Sequence, residues 1–447
     1  MATTYIYIDA TSDVAVQKAT ISFWVKKCGQ GTSQYIFFCG LTGDYSSYSF
    51  YMKFHTDDTI KIVGASPGTT IDYKTNRVFR DPTAWMNIVI KLDMTETGTD
   101  RCILYINGVE ETSYSTQTAM TGTEWYTGKS GYRQFIGYAP SEGTYSSVVL
   151  SHYHYCDGYA YPASSFGETD ATSGIWKINT SPSVSYGTNG FFLKMEDRTN
   201  LDLDSSGNAL TLTTSGTGTA TYDNPNNNFC TMNILDNYYL DGTFTNGNNT
   251  VATGGGKEWG TSTFGLSAGL WYYESEIVVT AGNSNRIGIA YGPATSASMG
   301  FGDRANDYAL YSYDGKIYSN SVANTYGDTW SGTGVILGVY IDLNANKLYF
   351  AKDGVIMNSG TGFDITAAAS TANGAYFPAV ADDHSSMSAT WASNFGNGYF
   401  GTDLISSPEA DAGGVGAFKY NPSTGTFDGS SKDFRAICTK NIKAYGG

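Results

Sequence analysis

The chain has 447 residues, with 26 Lys and Arg against 41 Asp and Glu, and a formal net charge of −15. Such a surface repels phosphate backbones and anionic headgroups, which argues against nucleic-acid or membrane-surface partners and favours cations or basic ones. Charged residues make up 15% and aromatics another 15%, with 53 Gly, 35 Tyr and only 10 Pro, so a turn-rich all-β protein is expected and disorder is not.

The length suits two or three domains, each able to bury its own core. The opening Met-Ala-Thr-Thr-Tyr-Ile-Tyr-Ile-Asp has neither a basic n-region nor a continuous apolar h-region, so no signal peptide is expected. No 18-residue apolar run offers a membrane span. Folding in a cytoplasm, without membrane insertion, is the expectation. The six cysteines (Cys28, Cys39, Cys102, Cys156, Cys230 and Cys438) include no CxxC pair, and a large sandwich made in a cytoplasm needs no disulfides. Cys28 and Cys39 flank a possible hairpin and could meet across it. Cys102 shares a face with Leu104 and Ile106, as a small core residue would.

From Ala19 the pattern has a period of two. Ile21, Phe23 and Val25 point one way; Phe50, Met52 and Phe54 do so on a later strand, followed by Ile60 and Ile62. Met86, Ile88, Ile90 and Leu92 alternate cleanly, and Arg101-Cys-Ile-Leu-Tyr-Ile ends in Asn107-Gly108, a tight-turn signal. Strands are also expected at Phe135-Ile-Gly-Tyr and Val148-Val-Leu-Ser-His-Tyr-His-Tyr. In the second half, Trp271, Tyr273, Ile277 and Val279 alternate with Tyr272, Glu274, Glu276 and Val278, which places the two glutamates on an outer polar face. Ile287 and Ile289 repeat the period, as do Val335, Leu337, Val339 and Ile341. The Asp342–Asn346 segment reads as a turn before Leu348 and Phe350 return inward. Two antiparallel β-sandwiches in tandem are expected.

The motifs carry resemblances. Thr20-Ile-Ser-Phe-Trp-Val-Lys, Trp85-Met-Asn-Ile-Val-Ile, Leu104-Tyr-Ile-Asn-Gly-Val and Phe135-Ile-Gly resemble a laminin-G-like, concanavalin A-type sandwich. Gly269-Leu-Trp-Tyr-Tyr-Glu, Arg286-Ile-Gly-Ile, Tyr313-Asp-Gly, Gly338-Val-Tyr-Ile-Asp-Leu, Tyr376-Phe-Pro-Ala-Val and Asn394-Phe-Gly resemble a SPRY domain over about 233–398. SPRY loops serve many kinds of partner, so this second likeness implies fold rather than function. Cys156-Asp-Gly, Ser165-Phe-Gly-Glu-Thr-Asp, Gly174-Ile-Trp-Lys, Tyr186-Gly-Thr-Asn-Gly-Phe-Phe-Leu and Asn226-Asn-Asn-Phe-Cys-Thr-Met-Asn are similar to marine-type bacteriophage tail and virion proteins. The phage resemblance covers nearly the whole chain.

The Asp204-Ser-Ser-Gly-Asn turn and Leu210-Thr-Leu strand, which open many laminin-G-like domains, come late here. Residues 186–215 are therefore expected to return and close the first sandwich, as in a circular permutation. The expected domains are 1–223, an Asn-rich linker 224–230, a SPRY-like sandwich 231–400, and a C-terminal extension 401–447 pinned on the second sandwich by Phe418, Phe434 and Ile437.

Candidate chemistry is sparse. His152, His154 and Cys156 stand at i, i+2 and i+4 and are zinc-competent, but an ordinary core strand is the stronger assignment because only two other His exist. A glycosidase on this fold needs two carboxylates across a cleft. Glu274-Ser-Glu276 lacks a third acid, and the adjacent pairs Glu110-Glu111 and Asp57-Asp58 point apart in turns. There is no Gly-x-Ser-x-Gly elbow, P-loop or Rossmann fingerprint. Asp202, Asp204 and Asn208 are candidates for calcium through a bent loop, against a solvated Asx-rich turn; no other cofactor is expected.

Binding remains. In the SPRY-like part, Asp303, Arg304, Asn306, Asp307, Tyr326 and Trp330 are the candidate ligand-binding loop residues, with alanine at Tyr326 or Trp330 expected to weaken binding and spare folding. The phage resemblance implies a non-enzymatic virion protein, assembled in the host cytoplasm. A tail fibre or receptor-binding component recognising host surface glycan or protein comes first, and a head or tail decoration protein bound to other virion proteins second. A secreted polysaccharide-degrading enzyme is the third class, disfavoured by the missing acid pair. A homo-oligomer is expected, threefold if the protein is a fibre.

Overall fold

Period-two alternation builds both halves of the chain. The computed structural model describes residues 3–13, 17–66, 69–122, 124–236, 242–296, 299–384 and 386–446. They form two units, Met1–Ala220 and Thr221–Gly447.

In the first unit, one antiparallel sheet has the order Phe191–Leu193, Val148–Asp157, Lys18–Lys27, Met86–Asp93, Cys102–Ile106, Val109–Glu110. The other has eight strands: Tyr114–Thr118, Thr69–Val78, Thr59–Ser66, Asp44–Phe54, Gln34–Leu41, Tyr132–Ile136, Tyr5–Asp9 and Thr213–Ser215. Ile21, Phe23, Val25, Ile88 and Ile90 from the first sheet and Phe37, Phe50, Met52 and Ile62 from the second are buried together between them. This is the core of a face-to-face sandwich. The turn at Asn107-Gly108 has φ of 49° and 77°, the paired left-handed conformation of a two-residue hairpin that Asn and Gly adopt most readily.

Residues 186–215 supply one edge strand to each sheet. Phe191–Leu193 pairs with Val148–Asp157, and Thr213–Ser215 pairs with Tyr5–Asp9. The two units divide at 220/221, and the segment expected as a linker lies in the second unit. Phe229 and Cys230 are buried, the Cys230 N–H donates to the Ile437 carbonyl at 2.9 Å, and the Asn228 N–H donates to the Thr439 hydroxyl at 3.0 Å. An Asn-rich composition signals turns, but the Phe-Cys pair beside it has an apolar face that must be covered.

The second unit packs a sheet built on Thr390–Asn394, Leu270–Val279, Ile336–Asp342 and Lys347–Lys352 against one built on Trp259–Thr261, Phe377–Asp382, Asn285–Ala290 and Tyr308–Tyr311. Trp271, Tyr273, Ile277, Leu337, Val339 and Leu348 meet Ile287, Ile289, Leu310 and Val380 inside. Asp342 shapes the expected turn: its carboxylate accepts the N–H groups of Asn344 and Ala345 at 3.1 and 2.8 Å.

The opposite face of the Leu270–Val279 strand differs from expectation. It is a second buried layer, because the C-terminal segment lies on it. Tyr272, Tyr340 and Tyr349 are buried against Phe418, Phe427 and Phe434, and Arg435–Ala436 pairs in parallel with Trp271 and Tyr272. Each fully covered ring contributes about 1.5–3 kcal/mol. Asp411 ties the segment together: one oxygen accepts the Val415 and Gly416 N–H groups, both at 2.8 Å, and the other accepts the Ala436 N–H and the Asn441 amide, both at 2.9 Å. Glu274 is consequently fully buried, not on a polar outer face. The strand's own residues do not reveal this; the covering residues lie more than a hundred positions away.

Candidate functional site

The SPRY-like loop candidates do not converge on an open site. Arg304 and Asp307 are both buried and satisfy each other, Nε to Oδ2 at 2.8 Å and Nη2 to Oδ1 at 3.1 Å. The same guanidinium donates to the Gly292 and Pro293 carbonyls at 2.7 and 2.6 Å and lies 4.4 Å from the Tyr291 ring centroid and 4.8 Å from that of Trp259. Burial pushes the Asp307 carboxyl up to about 6, against the pull of Arg304. This ion pair fastens a loop. Tyr326 and Trp330 are core residues: Tyr326 packs on Phe350 and accepts its N–H at 3.3 Å, and Trp330 lies edge-on to Trp391, 1% exposed. Asp303, whose carboxylate takes the Gly300 N–H at 2.7 Å, and the left-handed Asn306 (φ 69°) remain partly exposed.

The calcium candidates are likewise occupied. Asp204 accepts four donors, the N–H groups of Phe192, Ser206 and Leu210 and the Ser206 hydroxyl, at 2.8–3.0 Å. Asp202 takes the Thr214 N–H and hydroxyl at 2.9 and 2.7 Å, and Asn208 donates to the Gly187 and Gly190 carbonyls. N–H groups aimed at both carboxylates leave them fastening a turn, the same residues in a different role. Among the described residues, no group of three or more His, Cys, Asp or Glu is arranged to hold a metal ion. His152 sits at a register shift with φ of 48°, and its ring, like that of His154, lies against Phe192. His154 stacks on Phe192 at 3.9 Å and meets the Tyr186 hydroxyl at 3.0 Å; burial lowers its pKa well below the usual value. Cys28 and Cys39 are both buried and are not joined by a disulfide.

The feature that sequence reasoning missed is on the first unit. In the eight-stranded sheet Ile6 points into the core, so Tyr5 and Tyr7 point out. Phe38, Tyr51 and Phe135 share that outer face. The rings interlock: Tyr5 stacks on Tyr138 at 4.6 Å, Tyr138 meets Tyr145 at 4.5 Å, and Phe38 lies parallel to Tyr51 at 6.0 Å. Gly40 leaves room for this layer, since a Cβ there would lie 2.8 Å from the Tyr45 ring. Tyr5, Tyr7, Tyr45, Tyr51, Tyr138 and Tyr145 are each partly exposed.

Charged groups frame the rings. Arg133 makes a two-point pair with Asp9, both contacts at 2.7 Å, and its guanidinium lies 4.5 Å from the Tyr7 centroid. On the other side Lys53 donates to the Tyr35 hydroxyl at 2.7 Å, which donates in turn to Glu142. Burial lowers the Lys53 pKa. The arrangement suits flat, rigid contact with a ligand that has both apolar faces and hydroxyls. Its signal in the sequence was Tyr5-Ile-Tyr7-Ile-Asp9: two outward tyrosines flanking an inward isoleucine.

Comparison with known proteins agrees with this two-part architecture. Residues 1–154 match the model of the concanavalin A-like lectin/glucanases superfamily, and residues 270–394 match that of the SPRY domain. The SPRY domain of human HERC1 is similar at 19% identity, covering 34% of this chain and 91% of its own, with a TM-score of 0.26. A SAP-like pentraxin from Limulus polyphemus is similar at 16% identity, covering 36% and 72%, with a TM-score of 0.26. No curated protein matches the chain. The chain carries a laminin-G-like, concanavalin A-like domain followed by a SPRY domain. Among the described residues no helix is long and apolar enough to cross a membrane.

Proposed function

We propose that this is a non-enzymatic bacteriophage virion protein, a tail-fibre or receptor-binding component that recognises host surface glycan or protein through the outer face of its first sandwich. The tyrosine layer carries this reading, because an outward aromatic sheet face with hydrogen-bonding ions at its margins is a contact surface before it is anything else. The resemblance of motifs such as Ser165-Phe-Gly-Glu-Thr-Asp and Tyr186-Gly-Thr-Asn-Gly-Phe-Phe-Leu to phage virion proteins motivates the biological setting. The buried Glu274, with both oxygens engaged by Asn394, Lys419, Tyr420 and Tyr272, is not free for acid–base work, which supports the non-enzymatic assignment. Repetition in a particle multiplies weak single contacts by about 10²–10⁴.

The test is adsorption. A fluorescently labelled, trimerised preparation is expected to decorate susceptible bacteria, and Tyr5→Ser with Tyr138→Ser is expected to weaken decoration, measured at a temperature where its melting curve shows the variant folded. Gold-labelled antibody should mark tail tips of assembled particles. Label confined to the head, with no adsorption to any susceptible host, makes the protein a decoration component instead.

A further inference from the structure

Length sets one sheet edge of the first unit apart. A strand at a sheet edge presents unpaired N–H and C=O groups, and a short edge limits what another chain can pair with. Among the described residues every other strand that ends a sheet has two or three residues. The strand Tyr114–Thr118, which ends the eight-stranded sheet, has five, and its last four are exposed.

Its composition lacks the usual protection. Edges are commonly blunted by Lys, Pro or a charge, yet this strand reads Tyr-Ser-Thr-Gln-Thr, and neither a charged residue nor a proline stands between Glu111 and Glu124. A bulge falls between Tyr114 and Thr116, but beyond it Thr116, Gln117 and Thr118 keep regular register with Lys74, Tyr73 and Asp72. Because Tyr73 points into the core, Thr116 and Thr118 share the outer face with Lys74 and Asp72. Both of those ions are engaged, Lys74 with Asp57 at 2.6 Å and Asp72 with Lys61 at 3.5 Å.

We propose that this edge pairs with the same edge of a second copy of the chain, antiparallel about a twofold axis at Gln117, so that the two eight-stranded sheets run on as one. Three observations select a second copy. Pairing the strand with itself sets Thr116 opposite Thr118 and Gln117 opposite Gln117, and hydroxyls and amides donate and accept in both directions. The chain carries −15, so copies repel wherever acids meet, and an uncharged edge whose neighbouring ions are paired avoids that. A basic partner, which the net charge would attract, finds no acid on this strand. The contact is isologous and small, so it is weak in dilute solution and fills at high local concentration. It carries the outer face of one copy on into that of the next, and it stands independently of what the tyrosine layer binds.

Sedimentation of the full-length chain over a dilution series is expected to show monomer passing to dimer as concentration rises. Gln117→Lys, at an exposed position, sets two like charges about 5 Å apart across the axis and is expected to weaken the dimer about tenfold. Gln117→Cys gives a readout that needs no stable dimer. Since the native cysteines are buried, a mild oxidant is expected to link two copies through position 117 and to link none through Thr213→Cys, on the opposite edge of the same sheet. Melting curves are recorded for each variant, and the cysteine variants decide if Gln117→Lys fails to fold. A chain that stays monomeric at the highest concentration with no link through position 117 overturns the proposal. So does equal linking through positions 117 and 213, or a dimer that a folded Gln117→Lys leaves intact.

Discussion

Glu274→Gln should flatten the dependence of stability on pH. In the native protein burial raises this carboxyl from the ordinary 4.5 to about 7, even though it accepts the Lys419 N–H at 2.6 Å and the Asn394 amide at 3.0 Å on one oxygen. The other oxygen takes the Tyr272 hydroxyl at 3.1 Å and the Tyr420 N–H at 3.4 Å. An acid whose folded pKa is raised keeps its proton in the folded state after the unfolded chain has lost it. Stability is therefore greatest below 4.5, falls from there to about 7, and is level above. At about 1.4 kcal/mol per pH unit across that window, the fall is roughly 3 kcal/mol. Glutamine has no proton to lose. Its oxygen keeps the Lys419 and Asn394 donors, its NH₂ faces a hydroxyl that can turn to accept, and only the long Tyr420 contact goes, at about 1 kcal/mol. The variant should be slightly weaker than its parent at pH 4.5 and more stable by roughly 2 kcal/mol at pH 8. Urea unfolding followed by Tyr and Trp fluorescence at half-unit pH steps measures this. The difference between variant and parent is the quantity to read, because Asp157 and Asp307, also raised to about 6 by burial, titrate in both. Parallel curves for the two proteins would refute the account of Glu274 as a buried proton-holding clasp.

Trp330→Ala should cost about 3–5 kcal/mol and lower the melting temperature of the second unit, the reverse of a surface residue, since the indole lies in the core against Trp391. All six cysteines are buried and none forms a disulfide, and burial pushes the thiols of Cys39, Cys102 and Cys156 up. A thiol reagent should therefore label none in the native state and six after denaturation, and a reductant should leave the melting temperature unchanged. Asp204→Ala should destabilise the first unit by about 2–3 kcal/mol by stranding the Phe192 and Leu210 N–H groups, while millimolar calcium or a chelator should shift the native melting temperature by under about 1 °C.

What could be read from the sequence follows from what alternation can and cannot encode. A strand with a core on one side writes its inward residues at every second position, so Ile21-Phe23-Val25 and Leu337-Val339-Ile341 were legible with their facing. Local turn chemistry was legible too: Asn107-Gly108 and the Asp342 turn need no distant partner to specify them. The candidate site was not. An aromatic in a Gly- and Asp-rich stretch carries no sign of whether a sheet lies above it, and Tyr326 and Trp330 flank Gly327 and Asp328 yet both close the core.

The two faces that mattered most show why side matters more than composition. On the Leu270–Val279 strand, Tyr272 and Glu274 alternate with the core residues as outward groups should, and it is Phe418, Phe427 and Phe434 that turn that outside into an inside. On the Tyr5–Asp9 strand, Tyr5 and Tyr7 occupy the same outward register; Tyr5 meets Tyr138 and Tyr145, Tyr7 lies under the Arg133 guanidinium, and both residues stay partly exposed. The local pattern is the same in both places: aromatic outward, aliphatic or aromatic inward, with a carboxylate two positions on. The difference is a covering segment supplied from far along the chain, which a period-two pattern cannot carry. A tyrosine-rich outward register is thus a question about what lies over it, and in the first unit the answer is a layer of rings that stays partly exposed.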